Sequence, residues 1–177
     1  TFVALLIAAN ERQNLIAAST IPSIWSRHIL DSAQLVGFAP DRAGSWCDIG
    51  SGPGLPGIVI AILHDAHMSL VEPRARRVAF LNDAVRTLRL GNVEVLHARI
   101  ESVAPSSPFD VITARAVADL ATLFDMCRHI SSPRTRLILP KGRSGREELA
   151  SAQAEWQGVF HVEQSISDAE STIIIAD

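Results

Sequence analysis

The chain of 177 residues has no tyrosine, one lysine (Lys141) and two cysteines (Cys47 and Cys127). Aromatic residues make up only 5% of the sequence, so a base-stacking surface for single-stranded nucleic acid is not evident. Neither cysteine has another nearby, which excludes a zinc knuckle and a Cys-x-x-Cys redox pair and predicts buried thiols. The six histidines show no metal-ligand spacing, and we expect no bound metal.

Long hydrophobic runs are also missing. The apolar segments Phe2 to Ala9 and Gly57 to Leu63 are far shorter than the ~18 residues that a membrane span needs, and the first has no basic residue before it. We therefore expect neither membrane spanning nor secretion, and predict a cytoplasmic protein. Hydrophobic residues at 47% and charged residues at 20% are ordinary for a globular domain, and a chain this long buries ~70% of its surface without a disulfide or metal.

The charges are few and unevenly placed. A formal net charge of −3 gives no support for a polyanionic partner, yet residues 128 to 146 contain six bases and no acid, whereas residues 151 to 177 contain five acids and no base. A phosphate responds to charges within about a Debye length, ~8 Å at physiological salt. We therefore expect the basic stretch to form a local basic face suited to phosphate, with Lys141 as its focal residue. The stretch comprises Arg128, Arg134, Arg136, Lys141, Arg143 and Arg146.

Residues 1–40 are expected to form a helical lead-in, separate from a domain at 41–177. The predicted first helix has apolar residues at helical spacing, and Pro22 is expected to break the chain before a second helix. The expected inner faces consist of Ala4, Leu5, Ala8 and Ala9, and of Ile24, Trp25, His28, Ile29 and Ser32. The three tryptophans, Trp25, Trp46 and Trp156, are expected in the core.

From residue 41 onwards, short apolar runs alternate with longer amphipathic segments, which is typical of an α/β fold with a mainly parallel sheet. The predicted strands are 45–49, 68–72, 93–97, 109–114, 136–140, 159–164 and 172–176. The predicted helices are 55–64, 74–89, 117–130 and 145–156. No helix separates the last two strands, so we expect this seven-stranded sheet to end in an antiparallel pair.

The strongest local signal is the segment DIGSGPGLPG, which begins at Asp48 where the first strand ends. Gly50, Gly52 and Gly54 allow a close approach of the backbone to a ligand at the carboxyl edge of the sheet. Glu72 follows Gly52 by 20 residues, at the end of the second strand, where a carboxylate can accept both hydroxyl groups of a ribose. Together these residues predict a nucleoside cofactor.

The details disfavour NAD and ATP. A dinucleotide motif would have its third glycine at position 55, where this chain has Leu55, and Pro53 and Pro56 remove two N–H donors that a pyrophosphate would use. A Walker loop is excluded because no Gly-Lys-Ser or Gly-Lys-Thr follows. An acid two residues before G-x-G-x-G resembles the first motif of class I S-adenosylmethionine-dependent methyltransferases, a Rossmann-like fold in which that acid helps to hold the methionine end of the cofactor.

Several further segments, in order and spacing, resemble one family over nearly the whole chain. They are RHILDS from Arg27, DIGSGPGLPGI from Asp48, RRVAFL from Arg76, RIE from Arg99, FDVITARA from Phe109 and PKG from Pro140. This pattern is similar to that of the small-subunit ribosomal RNA guanine-N7 methyltransferases, the RsmG or glucose-inhibited division protein B family. The resemblance implies S-adenosyl-L-methionine as cofactor and 16S ribosomal RNA, free or in the small subunit, as partner. We expect a monomer.

The resemblance also implies roles for individual residues. Gly50, Leu55, Ile100, Glu101 and Arg115 match positions of cofactor contacts, and Arg27 and His28 match an element next to the substrate. Arg115 is also expected to meet an RNA phosphate. With RNA as the partner, the basic stretch is expected to be the RNA-binding face, in which Lys141 clamps a phosphate. Each residue has an alternative reading.

Glu101 is also explained as a solvated acid in a first helical turn, and Lys141 as part of a solubilising loop. Arg115 is also explained by an ion pair with Asp110 or Asp119, and His28 by one with Asp31.

The sequence also lacks the motifs of methyltransferases that act on other atoms of a base. The Asn- or Asp-Pro-Pro-aromatic motif of exocyclic-amine methyltransferases does not occur after the fourth predicted strand, which reads ITARAV, and neither cysteine is placed as a nucleophile. Guanine N7 already offers an in-plane lone pair, so its methylation requires positioning more than a general base, and we expect no indispensable catalytic acid or base. Two alternatives remain open: a methyltransferase of another substrate, and a non-catalytic RNA-binding factor in ribosome maturation.

Overall fold

The computed structural model describes all residues from 1 to 177. Seven strands form one sheet in the order β3-β2-β1-β4-β5-β7-β6. They are β1 (Ser45–Ile49), β2 (His67–Val71), β3 (Val93–Leu96), β4 (Val111–Ala114), β5 (Arg136–Lys141), β6 (Phe160–Gln164) and β7 (Thr172–Ala176). The first five strands are parallel, and β7 pairs antiparallel with both β5 and β6. The predicted α/β class, with its mainly parallel sheet and antiparallel end, is confirmed.

Helices surround the sheet and are shorter than predicted. The α-helices are α1 (Phe2–Asn10), α2 (Asp31–Ala33), α3 (Gly57–Leu63), α4 (Ala75–Leu88), α5 (Leu120–Cys127) and α6 (Gly145–Ala152). The chain also forms 3₁₀ turns at Ala18–Ser23, Gln34–Phe38, Ile100–Ser102 and Arg128–Ile130, and a π-helical turn at Trp25–Leu30. The predicted helix 117–130 begins late because Asp119 caps it, its side chain accepting a hydrogen bond from the Thr122 N–H.

The sheet has a hydrophobic core on each face. The lead-in, α3 and α4 cover one face, where Leu6, Trp46 and Ile58 are fully buried. Helices α5 and α6 cover the other face, around Cys47 and Cys127. Because successive strand residues point to opposite faces, Trp46 and Cys47 belong to different cores. Both thiols are buried, as predicted.

The inner face of α1 was predicted wrongly. Phe2, Leu6 and Ala9 are its buried residues, whereas Ala4 and Ala8 are exposed. The segment is apolar nearly all round, so its sequence pattern did not define one face, and contact with the sheet selected the side with larger side chains.

The rest of the lead-in also differs from the prediction. Pro22 lies inside the 3₁₀ turn Ala18–Ser23, whose backbone angles are compatible with the fixed φ of proline. Trp25 is 67% exposed, Trp156 is half-buried, and only Trp46 has the fully buried position expected of all three. The lead-in shares a core with the sheet, and the division into 1–40 and 41–177 stays a prediction.

The fold contains neither a membrane-spanning helix nor a cluster of metal-ligating side chains. None of the helices combines the length and the apolar character that crossing a membrane requires. No group of three or more His, Cys, Asp or Glu side chains is arranged to hold a metal ion.

Candidate cofactor and substrate site

The loop between β1 and α3 has the backbone conformation that its glycines predicted. The φ angles of Gly50, Gly52 and Gly54 are +65°, +54° and +81°, in the region that side chains rarely adopt. A Cβ on Gly50 would lie 2.8 Å from Cγ2 of Val117. At Gly52 the nearest atom, Nη1 of Arg77, would be 3.6 Å away, so the angle rather than crowding requires glycine there. A side chain at Gly52 would therefore be strained, although no protein atom crowds the position.

Glu72 braces this loop. The residue is buried, and its Oε2 accepts a hydrogen bond from the Gly52 N–H at 2.9 Å while Oε1 accepts one from the Arg74 N–H at 2.9 Å. Nη1 of Arg77 lies 3.8 Å from Oε2. A carboxylate has about four lone-pair sites, so two remain for the ribose hydroxyls that the sequence analysis assigned to it. That contact stays a prediction, whereas the bracing role was missed.

Asp48 lies beneath the loop, out of contact with solvent. Its Oδ1 accepts a hydrogen bond from the Thr113 hydroxyl (2.9 Å) and its Oδ2 accepts one from the Gly57 N–H (3.1 Å). Burial raises the pKa of Asp48 to about 6, against the opposing effect of these hydrogen bonds. The carboxylate joins β1 and β4 to the start of α3, so it acts on a ligand through the position of the loop.

A cavity of about 480 Å³ and two others of about 310 Å³ and 420 Å³ open along the carboxyl edge of the sheet. We call the 420 Å³ cavity the cofactor cavity. It is lined by Ile49, Gly50, Val71, Pro73, Arg74, Ala98, Arg99, Ile100, Glu101, Val117 and Met126.

The cofactor cavity brings together three of the predicted cofactor residues, Gly50, Ile100 and Glu101. Ile100 is a buried apolar wall, and Glu101 is exposed in the turn Ile100–Ser102. Four other predicted cofactor residues do not line the cavity and instead hold the loop in position. They are Asp48, Gly52, Gly54 and Glu72. Leu55 is buried in the core beside α3 and does not line the cavity.

The other two cavities share Asp31, Arg115, Ala116 and Ser171, and we call them together the polar trough. Val117 lines both the cofactor cavity and the trough, so the two sites adjoin.

Arg115 lies in the middle of the trough. Its Nη1 lies 3.4 Å from Oδ2 of Asp31, which is its ion-pair partner. Neither Asp110 nor Asp119, the partners expected from the sequence, pairs with it. Those two acids instead accept hydrogen bonds from the Ser45 N–H and from the Thr122 N–H. The ion pair links the lead-in to the end of β4, and Oδ1 of Asp31 also accepts a hydrogen bond from Ser167. Asp31 was missed as a site residue, although the RHILDS element contains it.

His28 lies in the π-helical turn, a rare conformation that is frequent at functional sites. Its Nε2 lies 2.8 Å from the Thr20 hydroxyl oxygen, and the Thr20 hydroxyl donates to the Ala17 carbonyl at 2.7 Å. Because the only Thr20 proton is used there, His28 carries its proton on Nε2, and Nδ1 is a buried acceptor without a partner. Burial and the Arg115 charge lower the pKa of His28, which favours the neutral ring. The predicted ion pair with Asp31 does not form.

Arg27 and Lys141 also line the trough. Arg27 is exposed, with Nη1 4.0 Å from Asp168. The Lys141 ammonium group donates to the Ala118 carbonyl at 2.7 Å and to Oε2 of Glu148 at 2.8 Å, and its side chain is only 10% exposed. The solubilising-loop alternative is therefore wrong, and the predicted phosphate clamp has just one N–H donor left.

The basic stretch is not a continuous basic face, which corrects the expectation from sequence. Arg136 makes a bidentate pair with Asp177, at 2.6 Å and 2.7 Å, and Arg143 pairs with Glu170. Arg128 lies beside Asp125 and over the ring of Trp156, and Lys141 pairs with Glu148. Two members of the stretch, Arg134 and Arg146, have no ion pair.

Ala116 follows Arg115 with φ +56°, a left-handed conformation that is strained for a residue other than glycine. Such strain occurs at functional sites where the surrounding structure imposes it. Ala116 lines both parts of the polar trough next to Val117. No sequence signal marks this residue, because alanine carries no preference for that conformation.

Comparison with known proteins agrees with this geometry. Two solved structures share the fold: a SAM-dependent methyltransferase from Aquifex aeolicus (TM-score 0.69, 15% identity, 88% of this chain and 92% of that one) and a ribosomal protein L11 methylase from Lactobacillus delbrueckii subsp. bulgaricus (TM-score 0.68, 13% identity, 83% and 76%). At these identities the likeness concerns the fold alone.

Curated relatives are more similar. The Ribosomal RNA small subunit methyltransferase G of Sphingopyxis alaskensis is 53% identical over 175 residues, covering 98% of this chain and 75% of that protein. The protein of the same name from Erythrobacter litoralis is 41% identical over 174 residues, covering 98% and 84%. The GidB family model, described as rRNA small subunit methyltransferase G, matches residues 1–173. The chain therefore belongs to the rRNA small subunit methyltransferase G family.

Proposed function

We propose that this protein transfers a methyl group from S-adenosylmethionine to N7 of a guanine in small-subunit ribosomal RNA. The observation that carries the proposal is the contact of two sites across Val117: a nucleoside-sized cavity beside a glycine loop, and a polar trough that contains Arg115 and His28. Family membership supports the cofactor and the RNA class.

The residues of the cofactor cavity fit S-adenosylmethionine. Gly50 brings the loop backbone to the cavity wall, Ile100 offers an apolar wall to an adenine, and Glu72 holds the loop from behind through the Gly52 N–H. When bound, the cofactor supplies a methyl group on a positively charged sulfonium. Arg115, in the middle of the trough, has further N–H donors for the cofactor carboxylate or an RNA phosphate.

The assignment to guanine N7 rests on the absence of the groups that methylation of an exocyclic amine or of a pyrimidine carbon requires. No Pro-Pro-aromatic motif follows β4 to hold an exocyclic amine. Burial raises the pKa of Cys127 to about 12, and raises that of Cys47 well above its usual range, so neither thiol serves as a nucleophile. N7 presents a lone pair and has no proton to lose, so in-line attack requires only positioning of the two reactants.

His28 is suited to read the guanine. Its Nδ1 is an acceptor without a partner, and guanine presents two kinds of donor, N1–H and the 2-amino group, on its Watson–Crick edge. Adenine presents an acceptor at N1, which Nδ1 would repel. Enzymes that modify an extruded base read it by hydrogen bonds to this edge. Nδ1 is covered in the free protein, so this contact requires the side chains around it to move.

We further propose that the protein acts as a monomer. The cytoplasm is the compartment that ribosomal RNA as substrate implies.

The test is a methylation assay on small ribosomal subunits from a strain that lacks the corresponding enzyme. Purified protein and radiolabelled S-adenosylmethionine should label the small-subunit RNA, and N7-specific chain cleavage should locate a single guanine. Protein-free RNA and assembled subunits are run in parallel to distinguish the two forms of the substrate. Label at another atom, or on protein, would refute the N7 assignment, and Gly52→Val is the inactive control.

A further inference from the structure

We propose that Arg74, Arg76 and Arg99 form the surface that binds the backbone phosphates of the RNA, in place of the basic stretch at 128–146. This inference rests on the proposed function, since it concerns how the same RNA reaches the site. It specifies which face of the protein the RNA crosses.

The three arginines lie at one corner of the carboxyl edge. Arg74 and Arg76 follow the end of β2, and Arg99 follows the end of β3, its neighbour in the sheet. All three are exposed, and none makes a salt bridge or a side-chain hydrogen bond. Arg74 and Arg99 also line the cofactor cavity, so a phosphate held here is at the rim of the site.

The position of these arginines is unfavourable for the stability of α4. A helix N-terminus carries a partial positive charge, which favours acidic residues and disfavours cations. The first turn of α4 has no acid, Arg74 precedes it without a side-chain cap, and Arg76 lies within it. In contrast, α6 has Glu147 and Glu148 in its first turn. Glu72 accepts a hydrogen bond from the Arg74 N–H, but the side chains of Arg74 and Arg76 have no ion-pair partner, so an external anion would be favoured at this helix end.

Other basic residues are less available. Most cations of the basic stretch are paired with acids, and Arg134 lies before β5 at the opposite edge of the sheet from the cofactor cavity. A planar guanidinium group without a protein partner can bind a phosphate through two hydrogen bonds. Contacts of this kind position the RNA without reading its sequence, which leaves base selection to the trough.

The test measures binding of small-subunit ribosomal RNA as a function of salt concentration. Arg76→Gln is the primary variant because Arg76 does not line the cofactor cavity, and Arg134→Gln is the matched control, an exposed arginine without an ion pair on the far edge. For single strands, each lost phosphate contact reduces the slope of log K against log salt by about 0.7. We expect this reduction for Arg76→Gln, about three times as much for the variant that also carries Arg74→Gln and Arg99→Gln, and none for Arg134→Gln.

Two further measurements separate this contact from structural and cofactor effects. Arg76→Gln should leave S-adenosylhomocysteine affinity unchanged, and its melting temperature should equal or exceed that of the wild type. An unchanged slope in the triple variant, or an equal reduction in Arg134→Gln, would overturn the proposed surface. Wild-type protein that does not methylate the RNA at all would instead refute the proposed function, independently of the slopes.

Discussion

Replacing Asp48 by asparagine should change how the stability of the protein depends on pH. Burial raises the pKa of this carboxyl from 3.8 to about 6. The folded state therefore holds the proton more tightly than the unfolded state. The favourable contribution of the protonated group is fully present below pH 3.8, and it is lost as the pH rises through 6. At about 1.4 kcal/mol per pKa unit, the folded protein loses about 3 kcal/mol through this group between these limits.

Asparagine can replace the carboxylate with its hydrogen bonds intact. The amide oxygen accepts from the Gly57 N–H, and the amide nitrogen donates to the Thr113 oxygen. The Thr113 hydroxyl proton then turns to the Cys47 carbonyl, 3.5 Å away. Alanine offers neither group, which leaves the partners of Asp48 unsatisfied at a cost of about 1–3 kcal/mol each.

The assay is urea unfolding of the wild type, Asp48→Asn and Asp48→Ala from pH 4 to pH 8. The free energy of unfolding of Asp48→Asn minus that of the wild type should rise by about 2.4 kcal/mol over this range, since part of the full contribution is already lost at pH 4. Asp48→Ala should show the same rise, but should be less stable than Asp48→Asn at each pH. A difference that does not change with pH would refute the argument from burial. Because asparagine keeps the loop anchored, Asp48→Asn should retain methylation activity, whereas Asp48→Ala should not.

Three further predictions concern the site. Gly52→Val should weaken S-adenosylhomocysteine binding at least tenfold, or about 1.4 kcal/mol, because valine is strained at φ +54°. Calorimetry measures the affinity, and Gly37→Val, at an uncrowded glycine, is the control. His28→Gln places its amide at the Nε2 position and loses the Nδ1 acceptor, whereas His28→Asn keeps an acceptor near Nδ1. The guanine-to-adenine ratio of kcat/KM at the mapped nucleotide should fall in the first variant and persist in the second, and equal ratios would contradict the reading role. Lys141→Met should lower the free energy of unfolding in urea by about 1–3 kcal/mol, because Glu148 loses its buried partner. The salt slope of RNA binding should not change, and a reduced slope would instead support Lys141 as a phosphate ligand.

The sequence alone was sufficient for the sheet and the loop. Each predicted strand coincides with an observed one to within two residues, because short apolar runs bounded by turns are a local signal. The glycines of the loop were equally predictable, since a positive φ is required at a single residue whatever surrounds it. The spacing of Glu72 from Gly52 predicted their proximity, but not that the carboxylate would brace the loop.

The charges and the helix faces were decided by tertiary structure. Arg136 and Asp177 are 41 positions apart, and they meet because β5 and β7 are antiparallel neighbours. This pairing and that of Arg143 with Glu170 neutralise two bases of the basic stretch with acids of residues 151–177, so local charge density did not predict an RNA-binding face. Likewise, the ion pair of Asp31 and Arg115 depends on the packing of the lead-in against the end of β4. The sequence determined what its backbone does locally, whereas long-range packing decided which polar groups remained free to bind a ligand.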